Sequence, residues 1–134
     1  MMRPVVLLTL ALLATGCVSR TTRTVPTGKI ISITQSLTPD TVDMGTLRSG
    51  EVLTKQITLR NNTDSPVVLL SSRTSCGCLR ISLPEAAIKP AEEFAAEVTF
   101  DSVGYLYWLP HTIEISTSFA DRPLNIVVTA TIKE

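Results

Sequence analysis

The chain has 134 residues, of which 44% are hydrophobic, with 12 basic and 12 acidic groups. That length suits one domain with a single core. Balanced charge, with no cationic run or basic stripe, excludes nucleic acid as an electrostatic partner.

The first element is an export signal. "MMRPVVLLTLALLATGC" places Arg3 ahead of an apolar run from Val5 to Ala14, and small Gly16 directly before Cys17. The run is shorter than the ~20 residues a membrane-spanning helix requires. "ATGC" resembles the bacterial lipobox, at which the signal is cut and the cysteine acylated. That resemblance implies a signal over 1–16 and a lipid on Cys17. It also accounts for an odd cysteine count, because the chain has three and lipidation of one leaves a pair. Acyl chains would then tie the protein to the membrane. Residues 17–29 follow as a lipidated end and flexible tether, since "VSRTTRTVPTGK" shows no apolar period; a first edge strand is the weaker alternative for the same reason.

From Ile30 to the end the apolar period is two. Leu53, Ile57 and Leu59 alternate with polar residues, as do Leu79, Ile81 and Leu83. Phe94, Ala96, Val98 and Phe100 do the same, and so do Leu124, Ile126, Val128, Ala130 and Ile132. Such alternation predicts half-buried strands. Turn clusters separate them at 38–40, 48–50, 61–66, 89–93 and 120–123. "PEAAIKPAEE" (84–93) holds helix formers, but its two prolines exclude a long helix. Seven or eight short strands over residues 30–134 predict an all-β, immunoglobulin-like antiparallel sandwich.

Several runs together resemble one family. These are "VDMGTLRSGE" (42–51), "NNTDSPVVLLSSRTSCGC" (61–78), "IKPAEEFAAEVTFDS" (88–102) and "NIVVTATIKE" (125–134). The pattern is similar to the Ser-x-Cys-Gly-Cys family, domain of unknown function 1573, common in exported proteins of the Bacteroidota. The resemblance implies an Ig-like module of the major-sperm-protein type in an exported lipoprotein. It implies no catalytic residue. The sequence departs from the pattern at Ala91, where the family has glycine, and at "VGYLYWLP" (103–110), where it has a more polar loop.

Cys76 and Cys78 flank Gly77 and are the pair on which chemistry could rest. On an extended chain their Cα atoms would lie ~6.6 Å apart, near the ~6.8 Å upper limit for a disulfide. A bridge therefore requires a bend, for which Gly77 supplies conformational freedom. As a staple it is weak, because so short a loop removes only about 1.6 kcal/mol of unfolded-chain entropy. Three readings stand: a passive pair, an easily reduced redox pair, or a Cu(I) site. A structural zinc site asks for about four ligands. His111 and Met44 are the other donors of the mature chain, and nothing in the sequence brings either to the pair. His111 is also the one candidate base.

Tyr105, Tyr107 and Trp108 concentrate half of the six aromatics in four positions, as a binding hot spot or a plug for the sandwich end. "DTV" (40–42) and "DSV" (101–103) resemble bacterial O-glycosylation acceptors, and "NNT" (61–63) an N-glycosylation acceptor. The expected function is a lipid-anchored, periplasm-facing module on the outer membrane. It would act through an unidentified protein partner, without catalysis or cofactor. The alternative is a thiol redox or Cu(I)-handling module.

Overall fold

A computed structural model describes residues 22–34, 39–104 and 110–134. Eight strands follow one another: β1 (Thr22–Ile33), β2 (Asp40–Arg48), β3 (Val52–Asn61), β4 (Leu69–Thr74), β5 (Leu79–Ile81), β6 (Glu93–Asp101), β7 (His111–Thr117) and β8 (Leu124–Lys133). No helix occurs among the described residues. The strands form two four-stranded sheets, in the orders β1-β3-β6-β5 and β2-β8-β7-β4. Leaving β2 aside, this arrangement matches the two sheets of an immunoglobulin-type sandwich, with β2 added beside the last strand.

The alternating residues of the sequence do line one core. Leu53, Ile57, Leu59, Leu79, Ala96, Val98, Phe100, Ile126, Val128 and Ala130 are buried. Each strand thus turns one face to the facing sheet, and burial of these side chains supplies the main stabilisation. Met44 is a core residue of β2, at 2% exposure.

The sheets are mixed rather than wholly antiparallel. β1 runs parallel to β3, and β2 parallel to β8. All other pairs are antiparallel. Direction follows from connectivity, because β2 crosses to the opposite sheet between β1 and β3. A period of two carries no information about direction.

A second difference concerns residues 17–29. Positions from Thr22 onward belong to β1, whose first half pairs Thr22–Pro26 with Val52–Gln56. Backbone pairing, not an apolar face, builds this half, and all but Val25, Thr27 and Lys29 among residues 22–29 are exposed. Pro26 is tolerated because β1 is an edge strand. A register shift between Pro26 and Ile30 accommodates Gly28 at φ 65°. There the Thr27 hydroxyl donates to the Gln56 carbonyl at 2.7 Å and accepts from the Lys29 N–H at 3.1 Å.

Two buried polar side chains pin the connections. Asn61, 0% exposed, donates through Nδ2 to the carbonyls of Ser65 and Ile88, each at 2.8 Å. Its Oδ1 accepts from the Thr63 N–H and hydroxyl. Ser102, also 0% exposed, places its hydroxyl 2.9 and 2.7 Å from the carbonyls of Arg48 and Glu51.

Candidate functional site

The site is built where the chain crosses from one sheet to the other. β4 ends at Thr74 and β5 begins at Leu79, so Cys76, Gly77 and Cys78 form the link between sheets. Backbone bonds hold the link on both sides. Ser75 N–H donates to the Thr112 carbonyl of β7 at 3.0 Å, and Asp101 N–H of β6 donates to the Cys78 carbonyl at 2.8 Å. Within the link, the Cys76 carbonyl accepts from the Thr74 hydroxyl at 2.8 Å and from Leu79 N–H at 3.4 Å.

Cys76 and Cys78 are joined by a disulfide, with Cα atoms 5.2 Å apart. The bend that brings them closer than an extended chain would does not use the freedom of Gly77. Gly77 lacks a positive φ, and a Cβ there would meet nothing within 4 Å among the described residues. Cys78 is buried at 9% exposure and Cys76 half-buried against the core.

His111 stands beside the pair. Its ring nitrogen and the two sulfurs lie within 4.8 Å of one another. The antiparallel pairing of β4 with β7, Thr74 opposite Ile113, brings the start of β7 alongside the Cys-Gly-Cys link. His111 Nδ1 is 3.4 Å from the Ser75 hydroxyl, which accepts from Thr112 N–H at 2.9 Å. The imidazole also packs against Phe100, with ring centroids 5.8 Å apart. Burial disfavours the imidazolium and pushes the pKa of His111 below its usual 6.5. Two sulfurs and an imidazole can hold a soft metal ion, and after reduction the imidazole can take a thiol proton.

Ser75 did not stand out in the sequence, and Phe100 did so only as one of the alternating apolar residues. Ser75 and His111 are 36 residues apart, and only the β4–β7 pairing joins them. Met44 sits in the core strand β2, described above. Cys17, Tyr105, Tyr107 and Trp108 lie outside the described residues.

The acceptor motifs fare differently. Asn61 is fully buried with both Nδ2 hydrogens engaged, so folding closes the "NNT" position to glycosylation. Ser102 of "DSV" is closed in the same way. Thr41 of "DTV" is exposed.

At the turn before β6, Ala91 adopts φ 64°. Glu92 N–H donates to the Lys89 carbonyl at 3.0 Å, closing a turn with Pro90 second and Ala91 third. A proline followed by a positive φ is the pattern of a type II turn, which favours glycine third. The turn therefore keeps the conformation suited to glycine although alanine occupies it.

Comparison with known proteins places the chain by family and fold. No curated protein matches it. A crystal structure of a protein of unknown function from Porphyromonas gingivalis W83 aligns at TM-score 0.60 and 24% identity, covering 69% of this chain and 44% of that one. The Vibrio cholerae VesB protease structure aligns at TM-score 0.54 and 12% identity, covering 72% and 31%. The chain thus spans less than half the length of either. At these identities the likeness is one of fold alone. The model of the family described as "Protein of unknown function (DUF1573)" matches residues 35–132, most of the sandwich, and the chain belongs to that family.

Proposed function

We propose that this protein is a non-catalytic sandwich module. It is anchored through acylated Cys17 to the periplasmic face of the outer membrane and acts through contact with another protein. The observation that carries this reading is the outer edge of β4. Leu70, Ser71, Ser72 and Arg73 are all exposed, Leu70 at 62%. β4 ends its sheet, with no described strand on its far side. An edge of this kind offers unpaired backbone groups and one apolar anchor to an added strand. Tyr105, Tyr107 and Trp108 are proposed as further contacts, on their composition.

Fractionation and cross-linking of cells test the reading. Cys17→Ser is expected to leave the membrane fraction or remain unprocessed. Leu70→Lys is expected to keep its stability within about 0.5 kcal/mol, as an exposed position should, and to lose the cross-linked partner. Unchanged membrane partitioning of the first variant, or unchanged cross-linking of the second, contradicts it.

A second reading is favoured by the position of His111. Two cysteines with an imidazole within 4.8 Å suit a thiol-based module, redox or Cu(I)-handling, better than a passive pair.

A further inference from the structure

We infer that Cys76, Cys78 and His111 form a redox-gated Cu(I) site, closed while the disulfide stands and assembled when it is reduced. The inference deepens the thiol reading above and rests on it. The bridged form has no thiolate to offer, because each sulfur is bonded to the other. A dithiol opens the pair by exchange. It gives two electrons and two protons, leaves as its own disulfide, and converts the bridge into two thiols. A Cu(I) ion then replaces both thiol protons, which pass to water, and binds two thiolates and one imidazole nitrogen.

The geometry suits this ion. With metal–sulfur and metal–imidazole distances of about 2.3 and 2.0 Å, as for zinc, a shared ion spans donors up to about 4.3–4.6 Å apart. The three donors already lie within 4.8 Å, so side-chain rotation about the link and the ring, without backbone rearrangement, can gather them round one ion. The sulfurs must part once their bond is broken. The bridge shows both side chains directed to one place, and a Cα separation of 5.2 Å leaves room for the sulfurs to part. No fourth His, Cys, Asp or Glu joins the cluster among the described residues. Three soft or borderline donors suit Cu(I), whereas structural zinc takes four. Ser75 supplies the supporting contact: its hydroxyl can accept the Nδ1 proton of a ring that binds metal through Nε2. The backbone bonds of Ser75, Cys76 and Cys78 tether the link to its neighbours at points other than the bridge.

The test uses the full chain with Cys17→Ser, so that the pair holds the only thiols. Thiols are counted before and after treatment with a dithiol. The reductant is then removed without air, and Cu(I) is titrated against a chromophoric chelator. X-ray absorption reports the donor atoms, and nitrogen NMR follows the single imidazole. The reduced protein is expected to bind one Cu(I) with two sulfurs and one nitrogen, shifting the ring resonance, while the bridged protein binds none. His111→Gln is expected to weaken binding by about tenfold or more, at least the loss typical of a partner outside the ligand shell. Should that variant misfold, the ring resonance and absorption spectrum of the unsubstituted protein decide the same point. A reduced pair that binds no Cu(I), binds it without the imidazole, or prefers Zn(II) overturns this site and leaves the thiol reading standing. Failure of the dithiol to release two thiols removes both.

Discussion

Ala91 shows how a single residue can depart from a pattern without moving the backbone. A left-handed φ costs a residue with a Cβ about 1–2 kcal/mol, and glycine gives back part of that through its freer unfolded chain. Ala91→Gly is therefore expected to stabilise the domain by about 0.5–1 kcal/mol in urea unfolding; a loss of stability would refute the strain. The sequence marked this position as unusual, but whether the turn kept its shape depended on the bonds to Asn61 and Lys89. His111 gives a second prediction. Its buried ring binds a proton less readily than the unfolded chain, so unfolded molecules take up the proton first as pH falls. Stability from neutral His111 is complete above its unfolded value of 6.5 and declines as pH drops through that value towards the lower folded one. The chain has one histidine, so its ring resonances are unambiguous. Their midpoint is expected below 6.5 in the bridged protein, and a midpoint above it contradicts the burial argument.

At the scale of elements, strands with an apolar face were legible and strands without one were not. β6 and β8 carry alternation that their burial reproduces. The first half of β1 carries none, because edge pairing to β3 satisfies its backbone without a core-facing stripe. Its second half differs, with Ile31 and Ile33 at 0% and 2% exposure. The two halves should respond differently to truncation. Ile31→Ala is expected to cost about 2–5 kcal/mol, the range for a large core aliphatic, and Thr24→Ala about 0.5 kcal/mol or less. Equal losses in denaturant unfolding would mean that the halves are held alike. The site was only half legible for a related reason. Cys76 and Cys78 are neighbours in sequence, but His111 and Ser75 reach each other through strand pairing, which no local spacing encodes.

For the whole molecule, the sandwich closes its core from both sheets, and the Cys-Gly-Cys link lies on its border. The fold is expected to stand without the bridge, which leaves this end of the domain free for chemistry. The shortness of the loop and the separate backbone bonds of the link both argue for that. Denaturant unfolding of the full chain, bridged and after dithiol reduction with thiols counted in each, measures the dependence directly. A folded, cooperative domain is expected in both states, with reduction costing about 1–2 kcal/mol, near the loop-entropy value. A reduced protein that is unfolded before denaturant is added would make the bridge a staple on which the fold depends.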